Sequence, residues 1–288
     1  MQTFRRGVTR ALNAALRPLG GEVVRAGLVA EKAATINALQ DQLNTQRRAA
    51  TPAIDQALAL DAAKLPPLTP APTPLTARVE QADRPAAEAI FTRNRGHLPC
   101  WQAGDVDLYD GWLQHPRNYP LYYALFGVLS AERGGLRLLE IGVRTGYIGA
   151  VFAQAATGPA GYVGVDPNQY VSNGLDLAAA TLRQLRAERP GFTYALWEGY
   201  SSAESTQRSL AHSGPYDLIH IDGDHSLPGK VIDLELARRV LAPGGLVLVD
   251  DFDHHPPVAE AIRRALALGW YRRCTYLATL RGLALLEP

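Results

Sequence analysis

The chain has 288 residues, 47% of them hydrophobic and 20% charged, enough apolar material for one substantial core and a smaller appendage. A formal net charge of +1 supplies no overall field to draw in nucleic acid or an acidic surface. No run of about eighteen apolar residues free of charge occurs, which excludes an ordinary membrane-spanning helix, and two distant cysteines, Cys100 and Cys274, make neither a disulfide framework nor a cysteine metal knuckle. A reducing cytoplasm is the expected compartment.

Met1 to Gly21 carries Arg5, Arg6, Arg10 and Arg17 with no acidic residue. That charge resembles a targeting presequence, but the apolar block and cleavage pattern of a secretory signal are missing, and an ordinary basic helix is expected. From about Glu22 to Arg48 the chain is rich in Ala, Leu, Gln and Glu and has no proline, which predicts a long helix. Val29, Ile36 and Leu43 recur every seven residues, but Lys32 interrupts the stripe, so packing on the parent domain or on a partner subunit is favoured over a coiled coil. A homo-oligomer built through this arm is the partner it suggests. The proline-rich stretch Leu65 to Pro74 predicts an extended connector. The boundaries read from this are a helical arm over 1–64, a linker over 65–76 and an α/β domain over 77–288.

Ala82 to Thr92 predicts a further helix. The aromatic stretch from Trp101 through Trp112 to Tyr119 is read mainly as core packing, with one or two rings bordering a substrate pocket. From Arg137 short apolar runs alternate with helical segments: Leu138 to Ile141, Tyr162 to Asp166, Phe192 to Trp197, Asp217 to Ile221 and Gly245 to Val249. Strands of this kind, buried on both faces and separated by helices, specify a parallel α/β sheet. Tyr271 to Leu277 and Gly282 to Leu286 read as a closing hairpin. An antiparallel hairpin on a parallel sheet separates the methyltransferase version of this Rossmann-like fold from a dinucleotide-binding one.

Glu140-Ile-Gly142-Val-Arg-Thr-Gly146 follows the first strand, where an open α/β sheet binds its ligand. A dinucleotide fingerprint needs glycine where Arg144 stands, so that the backbone can approach a pyrophosphate. S-adenosylmethionine has no pyrophosphate and removes that need. Asp166, at the end of the second strand, can accept hydrogen bonds from ribose hydroxyls, and Glu198-Gly-Tyr200-Ser201 after the third sits where an adenine ring would be sandwiched. The cofactor-binding candidates are therefore Glu140, Gly142, Gly146, Asp166, Tyr200 and Ser201.

On these residues the chain from about Tyr119 to Pro288 resembles the class I S-adenosylmethionine-dependent methyltransferases. Leu139 to Tyr147 looks like the first motif of the catechol and caffeoyl-CoA O-methyltransferase group. Ile219-His-Ile-Asp-Gly-Asp-His225 and Pro243 to Asp251 look closest to the macrocin-type O-methyltransferases of antibiotic sugar tailoring. Residues before about Thr92 carry no such likeness.

Methyl transfer is an in-line displacement, so the protein has to position the acceptor and remove its proton. A neutral alcohol or phenol is a poor nucleophile, and a divalent ion such as Mg2+ lowers its pKa and holds it in line. Asp222 ends the fourth strand and Asp250 with Asp251 the fifth, which gathers three carboxylates at one edge, as a hard cation prefers. The resemblance implies that these three hold the metal, although catechol-type enzymes have Asn at the last position. Asp224 is a substitute ligand. The plain alternative is that Asp222 caps the next helix and the other two open a loop. His225, three residues past Asp222, has the chemistry of a base for a hydroxyl proton, the role the resemblance implies, while catechol-type enzymes use lysine there. His254 or His255 is expected against the acceptor; with Asp253 they also raise zinc or iron chemistry, which leaves Glu140, Gly146 and Asp166 unused. The reading is metal-dependent methyl transfer to a hydroxyl of a small molecule such as a sugar, polyketide or phenol. Two alternatives stay open: a metal-independent N- or C-methyltransferase, and a non-catalytic assembly subunit.

Overall fold

The computed structural model describes residues 52–68, 73–82, 89–90, 92–94, 97–101, 119–171, 173–277, 279 and 281–288. The basic segment Met1–Gly21, the helix expected over Glu22–Arg48, and most of the Ala82–Thr92 and Trp101–Tyr119 stretches lie outside them.

The strands are β1 (Leu136–Ile141), β2 (Ala160–Asp166), β3 (Phe192–Glu198), β4 (Tyr216–Ile221), β5 (Leu241–Val249), β6 (Arg273–Leu277) and β7 (Leu283–Glu287). They form one sheet in the order β3-β2-β1-β4-β5-β7-β6. The first five run parallel, whereas β7 pairs antiparallel with both β5 and β6. This is the α/β sheet with an antiparallel terminal hairpin that the apolar runs predict.

Successive side chains on a strand point to opposite faces, and here both faces are covered. Leu138, Leu218, Leu246 and Leu248 join one apolar cluster with Tyr122, Phe126, Phe152 and Phe192. Their neighbours Leu139, Ile219, Val247 and Val249 join a second with Val231, Leu234, Val258 and Ile262. Two-sided burial is why the strands read as continuous apolar runs without alternation. The first layer contains α3 (Tyr119–Arg133), α4 (Tyr147–Ala155) and α5 (Gly174–Glu188); α6 (Glu204–Ser213), α7 (Leu227–Val240) and α8 (Pro256–Ala267) belong with the second.

Two short helices precede these. In α1 (Pro52–Ala59), Ile54 and Ala57 are buried in the second cluster. Arg264 of α8 holds its end, donating from Nη1 to the carbonyls of Ala57 at 2.7 Å and Leu60 at 2.8 Å. Neighbouring Arg263 donates to Leu65 O and Pro66 O, so the described start of the proline-rich stretch lies along α8. Its last proline begins a helix, α2 (Pro74–Gln81), in which Thr73 and Thr76 form a reciprocal cap. Proline is favoured at a first helical position because its missing N–H has no partner there anyway.

Candidate active site

The parallel strands bring their carboxyl ends to one edge, and each expected site residue lies there or in the loop that follows. At the end of β1 the chain turns through Gly142, whose φ is +95°. A Cβ at this position would lie 2.2 Å from the carbonyl oxygen of Asp222, so only glycine lets the ends of β1 and β4 approach this closely. Gly146 then opens α4 at φ +92°, and a Cβ there would meet Ala178 at 2.9 Å. Arg144, between the two, is also left-handed at φ 52°.

Asp166 stabilises that turn. Its Oδ2 accepts from the backbone N–H of Arg144 at 2.8 Å and its Oδ1 from Asn168 at 2.6 Å. Burial moves the carboxyl above its usual range against these hydrogen bonds. An ionised carboxylate has about four acceptor sites, so the acidic residue that shapes the loop keeps capacity for a ribose hydroxyl. The next loops are tied together: the Tyr200 hydroxyl donates to Gln169 Oε1 at 2.8 Å, and Ser201 Oγ donates to Asp233 Oδ1 of α7 at 2.5 Å.

Glu140, one residue before the end of β1, points into the interior. It is buried, its Oε2 accepts from the Tyr162 hydroxyl, and its Oε1 lies 3.4 Å from His220 Nδ1. The chain of polar contacts continues from His220 Nε2 to the Tyr122 hydroxyl at 3.3 Å and from that hydroxyl to Asp250 Oδ2 at 3.1 Å. Glu140 thus sits beneath the glycine turn at the head of a buried polar row that ends on β5.

On the other side of the edge, Asp222, Asp250 and Asp251 follow β4 and β5 directly. Ser226 caps α7, accepting from Gly229 N at 3.1 Å, so Asp222 is not used as the cap. Asp224 braces the same turn by accepting from Ser226 N at 2.9 Å. His225 Nε2 lies 3.3 Å from Asp222 Oδ1 and 3.3 Å from Asp251 Oδ2, bringing the expected base onto two of the three carboxylates. Asp250 faces inward: besides Tyr122, it accepts from the backbone N–H of Asp251 at 2.8 Å. Burial, then repulsion from Asp222, pushes its carboxyl up to about 7. Burial would raise Asp222 too, but the His225 contact together with the charges of His220 and Lys230 leaves it below the ordinary range.

These are oxygen donors of the kind a hard cation takes, and the repulsion that Asp250 feels from Asp222 and Asp251 is one that a divalent ion would relieve. The donor set therefore fits Mg2+ by type.

Several further residues surround these carboxylates. His255 Nε2 lies 3.5 Å from Asp251 Oδ2 and Arg281 Nη1 lies 3.3 Å from each oxygen of the same carboxylate. Tyr122 and His220 are hidden in apolar segments. Lys230 and Asp233 are fully buried on α7, where burial pushes the Asp233 carboxyl up to about 7; only their three-residue spacing on one helix face could have marked them.

A parallel sheet closed by this hairpin thus carries, in sequence order, a glycine turn, an acidic β2 end and a carboxylate edge. Residues 139–252 match the family described as "Methyltransferase domain". The O-methyltransferase ankF of Aspergillus thermomutatus is 28% identical over 141 residues, 49% of this chain and 56% of that protein, so the chain spans about half the length of the curated relative it matches. Among solved structures, the O-methyltransferase TomG of Streptomyces achromogenes, involved in tomaymycin synthesis, is 16% identical with a TM-score of 0.46, over 72% of this chain and 98% of that one. An O-methyltransferase from Bacillus cereus is 16% identical with a TM-score of 0.45, over 72% and 100%. Among the described residues no helix is long and apolar enough to cross a membrane.

Proposed function

We propose that this chain transfers the methyl group of S-adenosylmethionine to a hydroxyl of a small molecule, with His225 as the base. The observation that carries the reading is the position of His225 Nε2, 3.3 Å from carboxylate oxygens of both Asp222 and Asp251, across the edge from the glycine turn and Asp166. In this reading the Nε2–H points at the two carboxylates, which fixes the tautomer and leaves the lone pair of Nδ1 for the acceptor. The hydroxyl proton passes to Nδ1 and the oxygen attacks the methyl carbon. The carbon–sulfur bond breaks, and its electron pair neutralises the sulfonium. Asp222 and Asp251 then stabilise the imidazolium, as a buried carboxylate does for a catalytic histidine elsewhere.

Asp166 would receive the ribose hydroxyls, and the loops joined through Tyr200 and Ser201 would border the adenine. Asp222, Asp250 and Asp251 would hold a divalent cation such as Mg2+. When bound, that ion would supply Lewis-acid activation of the acceptor oxygen. The 28% identity to an O-methyltransferase supports oxygen as the acceptor atom.

Methyl-labelled S-adenosylmethionine, incubated with a panel of phenols and sugar hydroxyls, tests this reading. Label should appear on oxygen, should fall on chelation with EDTA, and should be lost in His225→Ala. Turnover that ignores EDTA and survives Asp250→Ala, with label on nitrogen or carbon, would instead establish the metal-independent alternative.

A further inference from the structure

His255 stands outside the three-aspartate donor set and takes no part in the steps proposed above. We propose that His225, Asp251 and His255 form a binding site for a first-row transition ion such as Zn2+ or Co2+, and that an ion there takes His225 out of service as a base. The first half stands on geometry alone; the second rests on the function proposed above.

The three side chains offer donor atoms that all lie within 4.8 Å of one another. Asp251 Oδ2 is the shared corner, 3.3 Å from His225 Nε2 and 3.5 Å from His255 Nε2. Two ligands bound at about 2.0–2.2 Å around a tetrahedral or octahedral ion are themselves roughly 3.0–3.5 Å apart, so an ion can enter with small side-chain shifts. The imidazoles are stacked, with centroids 4.5 Å apart and 22° between planes, which aims the pair at one place. Both are partly open to solvent, at 31% and 36% side-chain exposure, while Asp251 is buried.

The backbone sets this arrangement. Asp251 is held at φ 63°, a conformation that a non-glycine residue adopts at a cost. Its carbonyl accepts from His254 N at 3.1 Å and His255 N at 3.0 Å, and the turn ends with His255 as the N-terminal cap residue of α8. The strained residue and the second imidazole are parts of one turn. Arg281 already pairs with Asp251 from another side, so the ion would rely on the two imidazoles for much of its hold. Imidazole nitrogen suits zinc, cobalt, nickel and copper, whereas magnesium prefers oxygen. Asp251 belongs to both candidate donor sets, so the two classes of ion compete.

The consequence lies in the tautomer. An ion on Nε2 takes that lone pair and drives the ring proton onto Nδ1. The nitrogen proposed to receive the acceptor proton then carries one already.

The metal-free 288-residue chain titrated with Co2+ should develop ligand-field absorption, and calorimetry should show Co2+ and Zn2+ binding more tightly than Mg2+. His255→Ala should weaken Co2+ by roughly 100-fold, while His254→Ala changes it by less than about threefold. The His255 side chain makes no capping hydrogen bond, and unchanged S-adenosylmethionine binding will show that the variant is folded; His225→Ala gives a second ligand deletion. Long-range 1H–15N spectra should show the His225 proton on Nε2 without metal and on Nδ1 with Zn2+. Equal Co2+ affinity in His255→Ala, absence of Co2+ binding to the wild type, or tighter binding of Mg2+ would overturn the site. A ring proton that does not move with Zn2+ would overturn the inhibitory consequence alone. Failure of the zinc-free protein to methylate any hydroxyl would refute the proposed function and leave the ion site untouched.

Discussion

The two halves of the sheet edge are built differently. At the ends of β1 to β3 the polar groups are tied into the fold: Asp166 braces backbone N–H groups, Tyr200 meets Gln169, and Ser201 meets Asp233. At the ends of β4 and β5, three carboxylates and two imidazoles crowd one rim, and Asp250 is pushed up to about 7 by burial and by Asp222. The first half is shaped by backbone geometry and should fail when volume is added. The second is shaped by charge and should fail when a charge or a nitrogen is removed.

The sharpest break in this contrast is His225→Ala. It should lower methyl transfer by about 10²–10⁴-fold, the usual worth of a positioned base, yet leave S-adenosylmethionine affinity by calorimetry within about twofold. An equal loss of both would erase the distinction between the halves. Next comes Gly142→Ala, which adds one methyl group 2.2 Å from the Asp222 carbonyl at a left-handed φ. It should cost about 2–4 kcal/mol of stability, visible as a lower denaturation midpoint, and should impair cofactor binding. A variant as stable as the wild type would mean that the β1 and β4 ends do not meet as described.

Asp166→Asn should weaken S-adenosylmethionine by about tenfold, the loss of one or two charge-assisted hydrogen bonds, with the fold intact by circular dichroism. Unchanged affinity would restrict Asp166 to bracing the turn. The smallest effect concerns Asp233. Burial raises its carboxyl from the ordinary 3.8 to about 7, so the folded chain keeps a proton that the unfolded chain releases between those values. The stability this supplies is complete below pH 3.8 and is lost as pH rises through about 7. Asp233→Asn should flatten that part of the stability curve in urea denaturation; an unaltered slope would remove Asp233 as its source.

Much of the fold was legible because two-sided burial writes itself into composition. The runs at Leu138, Tyr162, Phe192, Asp217 and Gly245 could only be interior strands, and the hairpin at Tyr271 to Leu286 showed in its turn residues. Among the candidate residues, the gathering of Asp222, His225 and Asp251 was readable because strand ends share an edge, and His225 Nε2 lies 3.3 Å from both acids. What stayed hidden depends on side-chain direction. Glu140 opens the glycine motif in sequence, yet its carboxylate turns into the layer between Tyr162 and His220. Asp250 is adjacent to Asp251 but faces Tyr122, while Asp251, held at φ 63° just past the strand, meets His225. The convergence of His255 on Asp251 needs a left-handed residue that is not glycine, and nothing in local sequence announces one.

Transfer of a 13C-methyl group from S-adenosylmethionine, followed by NMR with wild type and His225→Ala on the same hydroxylated panel, tests the central claim most directly. The account predicts an oxygen-bound methyl signal that grows with the wild type and is absent with the variant, while both proteins bind the cofactor. A methyl signal on nitrogen or carbon, or one that grows as fast without His225, would contradict it.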